Sequence, residues 1–144
     1  MLIGQILAGK GRDVVSTRPD ATIAEVAKLL KARRIGAVVV MDAGGALCGI
    51  ISERDLARGL ADHGAKLLDM RVSQLMTAEV VTCSPDDGLD RLMKQMTEGR
   101  FRHLPVIQDG KMVGIISIGD VVKHRLQELE TEAHMLHDYI AGGA

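Results

Sequence analysis

Residues 99–120, GRFRHLPVIQDGKMVGIISIGD, set a basic pair (Arg102, His103) before an apolar run at 104–107 and an Asp109-Gly110 pair. A second apolar run at 112–116 follows, and then Ser117-Ile118-Gly119-Asp120 at the mouth of a long helical pattern. Asp-Gly between two β-prone runs predicts a hairpin. Such a hairpin brings Arg102 and His103, at the start of one strand, beside Ser117 and Asp120, at the end of the other. Two cations, a hydroxyl, a carboxylate and a helix N-terminus then converge. That is the chemistry of a site for a phosphorylated, hydroxyl-bearing ligand.

Working outward, the same plan occurs earlier in the chain. VVTCSPD at residues 80–86 repeats VVSTRPD at 14–20. Leu89, Leu92, Met93 and Met96 repeat the i, i+3, i+4, i+7 spacing of Ile23, Val26, Ala27 and Leu30. Thr22-x-x-Glu25 reads as a capping box opening the first of these helices. AVVVM at 37–41, a turn at 42–45 and Gly49-Ile50-Ile51-Ser52-Glu53-Arg54-Asp55 match the opening stretch, which has a shorter turn. The leaders match too, IGQIL at 3–7 with VSQLM at 72–76. Each copy therefore reads strand–helix–strand–strand–helix, an α+β plan. The nearly continuous apolar strands imply burial on both faces. Residues 63–71 form a polar connection, with Gly64 a helix stop. The expected division is 1–66 and 67–122, each a copy with its leader, followed by a helical extension at 123–144.

Composition bounds the function. The apolar fraction is 47%, but the chain has one Phe, one Tyr and no Trp, so the core is aliphatic. A net charge of −1 disfavours a nucleic-acid binder, and the near absence of aromatics disfavours stacking on single strands. Cys48 and Cys83 lack metal or redox spacing, which fits two reduced thiols in a cytoplasmic setting. The apolar residues at 1–8 are too few for a membrane span and lack the basic start of a signal peptide.

Two G-h-h-S-x-x-D copies with an RHLPV strand resemble a pair of cystathionine β-synthase (CBS) domains, a Bateman module. The likeness covers the whole chain. It is strongest to stand-alone bacterial and plant-organelle pairs, through Ser52-Glu53-Arg54-Asp55, the R-x-R-H-x-P-V stretch at 100–106 and SIGDVV at 117–122. The resemblance implies two pseudo-symmetric motifs packed sheet to sheet, with an adenosine-containing ligand (AMP, ADP, ATP, NAD or S-adenosylmethionine) between them. It implies disc-like homodimers and regulation of an unidentified partner protein instead of catalysis, with no catalytic cofactor.

In that family the Asp accepts hydrogen bonds from the ribose hydroxyls and the Ser lies by the phosphate. Carried over, the resemblance assigns Arg102, His103, Pro105, Ser117 and Asp120 to the ligand. Thr17, Arg18, Ala37 and Val38 would complete the site from the first copy. Ser52, Arg54 and Asp55 form the counterpart, where Gly36-Ala37-Val38-Val39 replaces Arg102-His103-Leu104-Pro105 and the strand's cations are missing. One good site and one weak or empty site are expected. Taken alone, each Ser-x-x-Asp is explained by helix capping, and capping and binding are compatible.

His134 and His137 could hold a metal, but an exposed polar helix face is the simpler account, and no metal site is expected. Neither a Walker loop nor a nucleophile context appears, so no enzymatic activity is expected. Val122, Leu126, Leu129, Ala133, Leu136 and Ile140 alternate steps of four and three, a seam about three heptads long. The helix carrying it should run from Gly119 to about Ala141, stopped by Gly142-Gly143, and pack against a second chain, the alternative being packing back on its own copy. The alternative function is a ligand-free dimerising adaptor acting through this helix.

Overall fold

The computed structural model describes residues 1–11, 13–99 and 101–142. Arg100, which opens the R-x-R-H-x-P-V stretch, and Gly143 of the expected helix stop lie outside them. The chain divides into two compact units, Asp13–Val81 and Met1–Arg12 with Thr82–Ala144.

In the Asp13–Val81 unit, β1 (Ser16–Thr17) pairs parallel with β2 (Ala37–Met41), which pairs antiparallel with β3 (Leu47–Ser52). Helix α2 (Ile23–Arg33) connects β1 to β2, and α3 (Glu53–His63) leaves β3. The predicted capping box opens α2: Thr22 Oγ1 accepts from Glu25 N–H at 3.2 Å, and Glu25 Oε2 accepts from Thr22 N–H at 3.3 Å. Ile23, Val26 and Leu30, one stripe of α2, pack on Val38, Val40 and Ile51. Gly64 stops α3 with φ of 60° and donates its N–H to Leu60 O. The connection is not purely polar. It coils into a 3-10 turn (Gly64–Asp69) that sends Leu67 into the core, and α4 (Val72–Leu75) adds Val72.

The other unit begins with α1 (Ile3–Lys10) and continues with α5 (Leu89–Gly99), β4 (His103–Gln108), β5 (Lys111–Ser117) and α6 (Ile118–Gly142). The hairpin forms as expected. Gln108 faces Lys111, and the two turn residues, Asp109 (φ 53°) and Gly110 (φ 76°), both take the left-handed conformation of a tight hairpin turn. The copy's first strand shrinks to a single parallel bridge from Cys83 to Val106, matching the Thr17–Val40 pair in register. Burial, and next the Asp87 charge, push the Cys83 thiol up to about 12, so it stays protonated and inert.

The compact units exchange the leaders that the sequence repeat attaches to each copy. Ile3 N–H donates to Asp87 O and Gly4 N–H to Pro85 O, while Leu89 N–H donates to Met1 O. The second leader docks identically in the Asp13–Val81 unit: Val72 to Ala21 O, Ser73 to Pro19 O, and Ile23 to Met70 O. Each leader thus satisfies the backbone at the helix entrance of the opposite copy. Close approach then requires glycine where the leader crosses the last strand. A Cβ on Gly49 would lie 2.8 Å from Thr77 O and 2.7 Å from Met76 Sδ. We expect Gly49→Ala to destabilise the fold by about 1–3 kcal/mol, because a backbone oxygen cannot give way like a side-chain tip. Gly9→Ala, on the open side of α1 with nothing within 4 Å of the new Cβ, should instead stabilise by about 0.5–1 kcal/mol. Urea unfolding of the two variants beside the parent checks both signs.

Candidate functional site

The β5–α6 junction carries the second Ser-x-x-Asp tetrad. Ser117 ends the strand in an extended register opposite His103, and Ile118 starts the helix. Ser117 Oγ accepts from Asp120 N–H at 3.1 Å, and Asp120 Oδ2 accepts from Ser117 N–H at 2.9 Å. The Ser117 hydroxyl lies 2.9 Å from the same Oδ2. This is a reciprocal capping box with Asp in the place usual for Glu. Ile118 N–H donates to Arg102 O at 2.8 Å, tying the basic pair to the helix mouth. The hairpin therefore brings the backbone of Arg102 and His103 to the Ser117–Asp120 turn. Pro105 shares the strand face of His103 by the two-residue period, is buried and pairs with Ile115.

A further cation comes from the leader. Leu7 packs where Gly114 lacks a side chain, since a Cβ there would lie 2.6 Å from Leu7 Cδ2. One helical turn later, Lys10 Nζ donates to Ile115 O at 2.9 Å and to Asp120 Oδ2 at 2.5 Å. Burial pushes the Asp120 carboxyl up, but hydrogen bonds from Lys10 and Ser117 and the ammonium charge outweigh it. They hold the carboxyl below its ordinary value of 3.8, so Asp120 is ionised at neutral pH. The sequence reading missed Lys10, although the spacing of the first leader carries a signal for it. Ile3, Ile6 and Leu7 are the buried face of α1, and Lys10 continues that face at i+7.

The first copy shows how much of this is capping. Asp55 Oδ2 accepts from Ser52 N–H at 2.8 Å, Ser52 Oγ accepts from Asp55 N–H at 3.4 Å, and Glu53 N–H donates to Gly36 O at 2.9 Å. The backbone pattern is the same without the cations. Gly36 and Ala37 stand where Arg102 and His103 do, with Ala37 buried opposite Ser52 and Val38 buried opposite Ile51, and the leader helix of this unit ends at Leu75, before any counterpart of Lys10. Arg54 is half-buried on the first turn of α3. Thr17 pairs with Val40, and Arg18 is exposed beyond it, its carbonyl accepting from Ala21 N–H at 3.1 Å. Thr17, Arg18, Ala37, Val38, Ser52, Arg54 and Asp55 all belong to the Asp13–Val81 unit.

The helix-end N–H groups contribute less to anion binding than a bare terminus would. Those of Ser117, Ile118 and Asp120 all donate within the unit. On α6, His134 Nε2 lies 3.4 Å from Asp138 Oδ2. Among the described residues no group of three His, Cys, Asp or Glu is arranged to hold a metal, and no helix is long and apolar enough to cross a membrane.

Comparison with known proteins agrees with the duplicated plan. The family described as CBS domain matches residues 7–62 and 72–127. A mitochondrial CBS domain-containing protein of Arabidopsis thaliana is 36% identical over 149 residues, covering 98% of this chain and 72% of that protein. The crystal structure of a CBS-domain containing protein from Agrobacterium tumefaciens is 51% identical, with a TM-score of 0.86 over 87% of this chain and 99% of that one. A CBS domain protein of Pyrobaculum aerophilum complexed with AMP is 28% identical, with a TM-score of 0.77 over 91% and 99% of the two chains.

Proposed function

The chain belongs to the CBS domain family, with two copies of the domain, and from that premise we propose that it is a regulatory module sensing an adenosine-containing ligand of the AMP, ADP, ATP or NAD class. The observation that carries this reading is the convergence of Arg102, His103, Ser117 and Asp120 at one helix mouth. Asp120, ionised at neutral pH, is an acceptor for ribose hydroxyls, and Arg102 and His103 flank it as partners for phosphate. The AMP complex of the Pyrobaculum relative supports the ligand class. The first copy keeps the capping geometry without the basic strand start, which supports one effective site instead of two. The module acts by regulating a partner protein and performs no catalysis. Two free thiols, one half-buried and one buried, fit a reducing, cytoplasm-like compartment.

Dimerisation belongs to the same reading. Helix α6 spans 25 residues, about 37 Å at 1.5 Å per residue, and turns two faces to its surroundings. Val121 is buried, and His124, Arg125 and Glu128 are half-buried beside it. Val122, Leu126, Leu129, Leu136 and Ile140 form the other face and are all exposed on the single chain. A stripe of that length is the kind that soluble monomers avoid, and a second copy of the helix is the occupant it fits.

Thermal unfolding with AMP, ADP, ATP, NAD and S-adenosylmethionine tests the ligand claim. A ligand at about 100 times its dissociation constant adds ~2.7 kcal/mol, which for a chain of this size raises the melting temperature by roughly 5–10 °C. A panel without any shift at millimolar concentration favours the dimerising adaptor, in which the Ser-x-x-Asp tetrads only cap helices.

A further inference from the structure

Lys10 occupies one of the two carboxylate oxygens that a ribose cis-diol would bridge. Its ammonium, the Ser117 N–H and the Ser117 hydroxyl all lie within hydrogen-bond distance of Asp120 Oδ2. That oxygen is fully subscribed, so Oδ1 can accept one ribose hydroxyl but a cis-diol bridging both carboxylate oxygens must displace a donor from Oδ2. The Ser117 groups are fixed by the turn from β5 into α6. The Lys10 side chain is a flexible stem, 34% exposed, so it is the donor that yields. A cis-diol that takes its place leaves the ammonium beside the bound molecule and short of a partner. An anionic group near the diol supplies one, and a neutral nucleoside does not.

We infer that Lys10 is a specificity-determining residue of the second-copy site, selecting ribose ligands that carry an anionic group over neutral ribose ligands. This rests on the nucleotide reading given above. The first copy lacks the device: Asp55 has its Ser52 capping partners, and the leader helix of that unit ends at Leu75, short of any counterpart of Lys10. The same pair predicts an unusual salt response. Screening weakens the Lys10–Asp120 attraction, so added salt should strengthen adenosine binding while it weakens AMP binding.

The test is calorimetric titration of the full chain with adenosine and with AMP, in the parent, Lys10→Met and Lys10→Arg. In Lys10→Met the preference for AMP over adenosine should fall by about tenfold, equivalent to 1.4 kcal/mol. Adenosine should gain, because no ion pair has to open, and AMP should lose, because a cation is gone. Lys10→Arg should keep the parental preference. A variant damaged in folding would weaken both ligands, so the gain for adenosine separates the two explanations. Lys10→Gln, which keeps length and a donor without the charge, is the second neutral variant. If both ligands bind and the preference is unchanged in Lys10→Met and Lys10→Gln, the inference fails while the nucleotide site stands. If neither ligand binds the parent or any variant, the site reading fails and takes the inference with it.

Discussion

Leu129→Glu combined with Leu136→Glu is expected to turn a dimer into a monomer. The two leucines are 45% and 60% exposed on the single chain, so neither substitution disturbs the core of its own unit. In a paired α6 seam the same positions are dry, and placing a carboxylate at each costs several kcal/mol before any rearrangement. Light scattering across a dilution series reads the outcome directly. The parent should remain dimeric to lower concentration than the double variant, whose melting should lose its dependence on concentration. AMP binding should survive, because Ser117 and Asp120 precede the seam and are anchored by α1 and the hairpin. A parent that is already monomeric contradicts the seam. A variant that stays as dimeric as the parent shows that other surfaces hold the dimer.

The second large effect is at the helix mouth. Asp120→Ala removes a carboxylate whose charge-assisted hydrogen bonds to ribose contribute roughly 1.5–3 kcal/mol each, so AMP affinity should fall at least about tenfold. The substitution also removes one half of a capping box and leaves Lys10 without its carboxylate. Asp55→Ala is the matched control, since it breaks the same backbone pattern in the first copy. Both variants should lose comparable stability to urea, about 0.5–2 kcal/mol from the cap. Asp120→Ala alone should lose the ligand. Equal loss of affinity from the two variants would contradict the asymmetry drawn from Arg102, His103 and Lys10.

Much of this geometry is legible in the residues because it depends on local rules. Asp109-Gly110 sets the hairpin register through two left-handed turn residues, and that register places His103 opposite Ser117. Thr22 and Glu25 cap α2 as their spacing predicts. The alternating steps of four and three from Val122 to Ile140 foretell a long helix with a continuous apolar stripe. The exchanged leaders depend on non-local choices. Both leaders dock through backbone groups, Ile3 and Gly4 on one side and Val72 and Ser73 on the other. Nothing in the side-chain pattern tells which copy receives which leader. Leu67 is hidden for a related reason, since one apolar residue in a polar connection has no period to read. Lys10 lies between these cases. Its place on the buried stripe of α1 was visible, but its partner Asp120 depends on the exchange.

The central claim, one adenosine-ligand site at the β5–α6 junction, is tested most directly by mapping AMP onto the backbone amide spectrum of the full chain. The account predicts the largest shifts at His103 and at Ser117, Ile118, Gly119 and Asp120, with Ser52, Arg54 and Asp55 moving far less. Shifts of equal size at the two tetrads, or shifts confined to the outer face of α6, would contradict it.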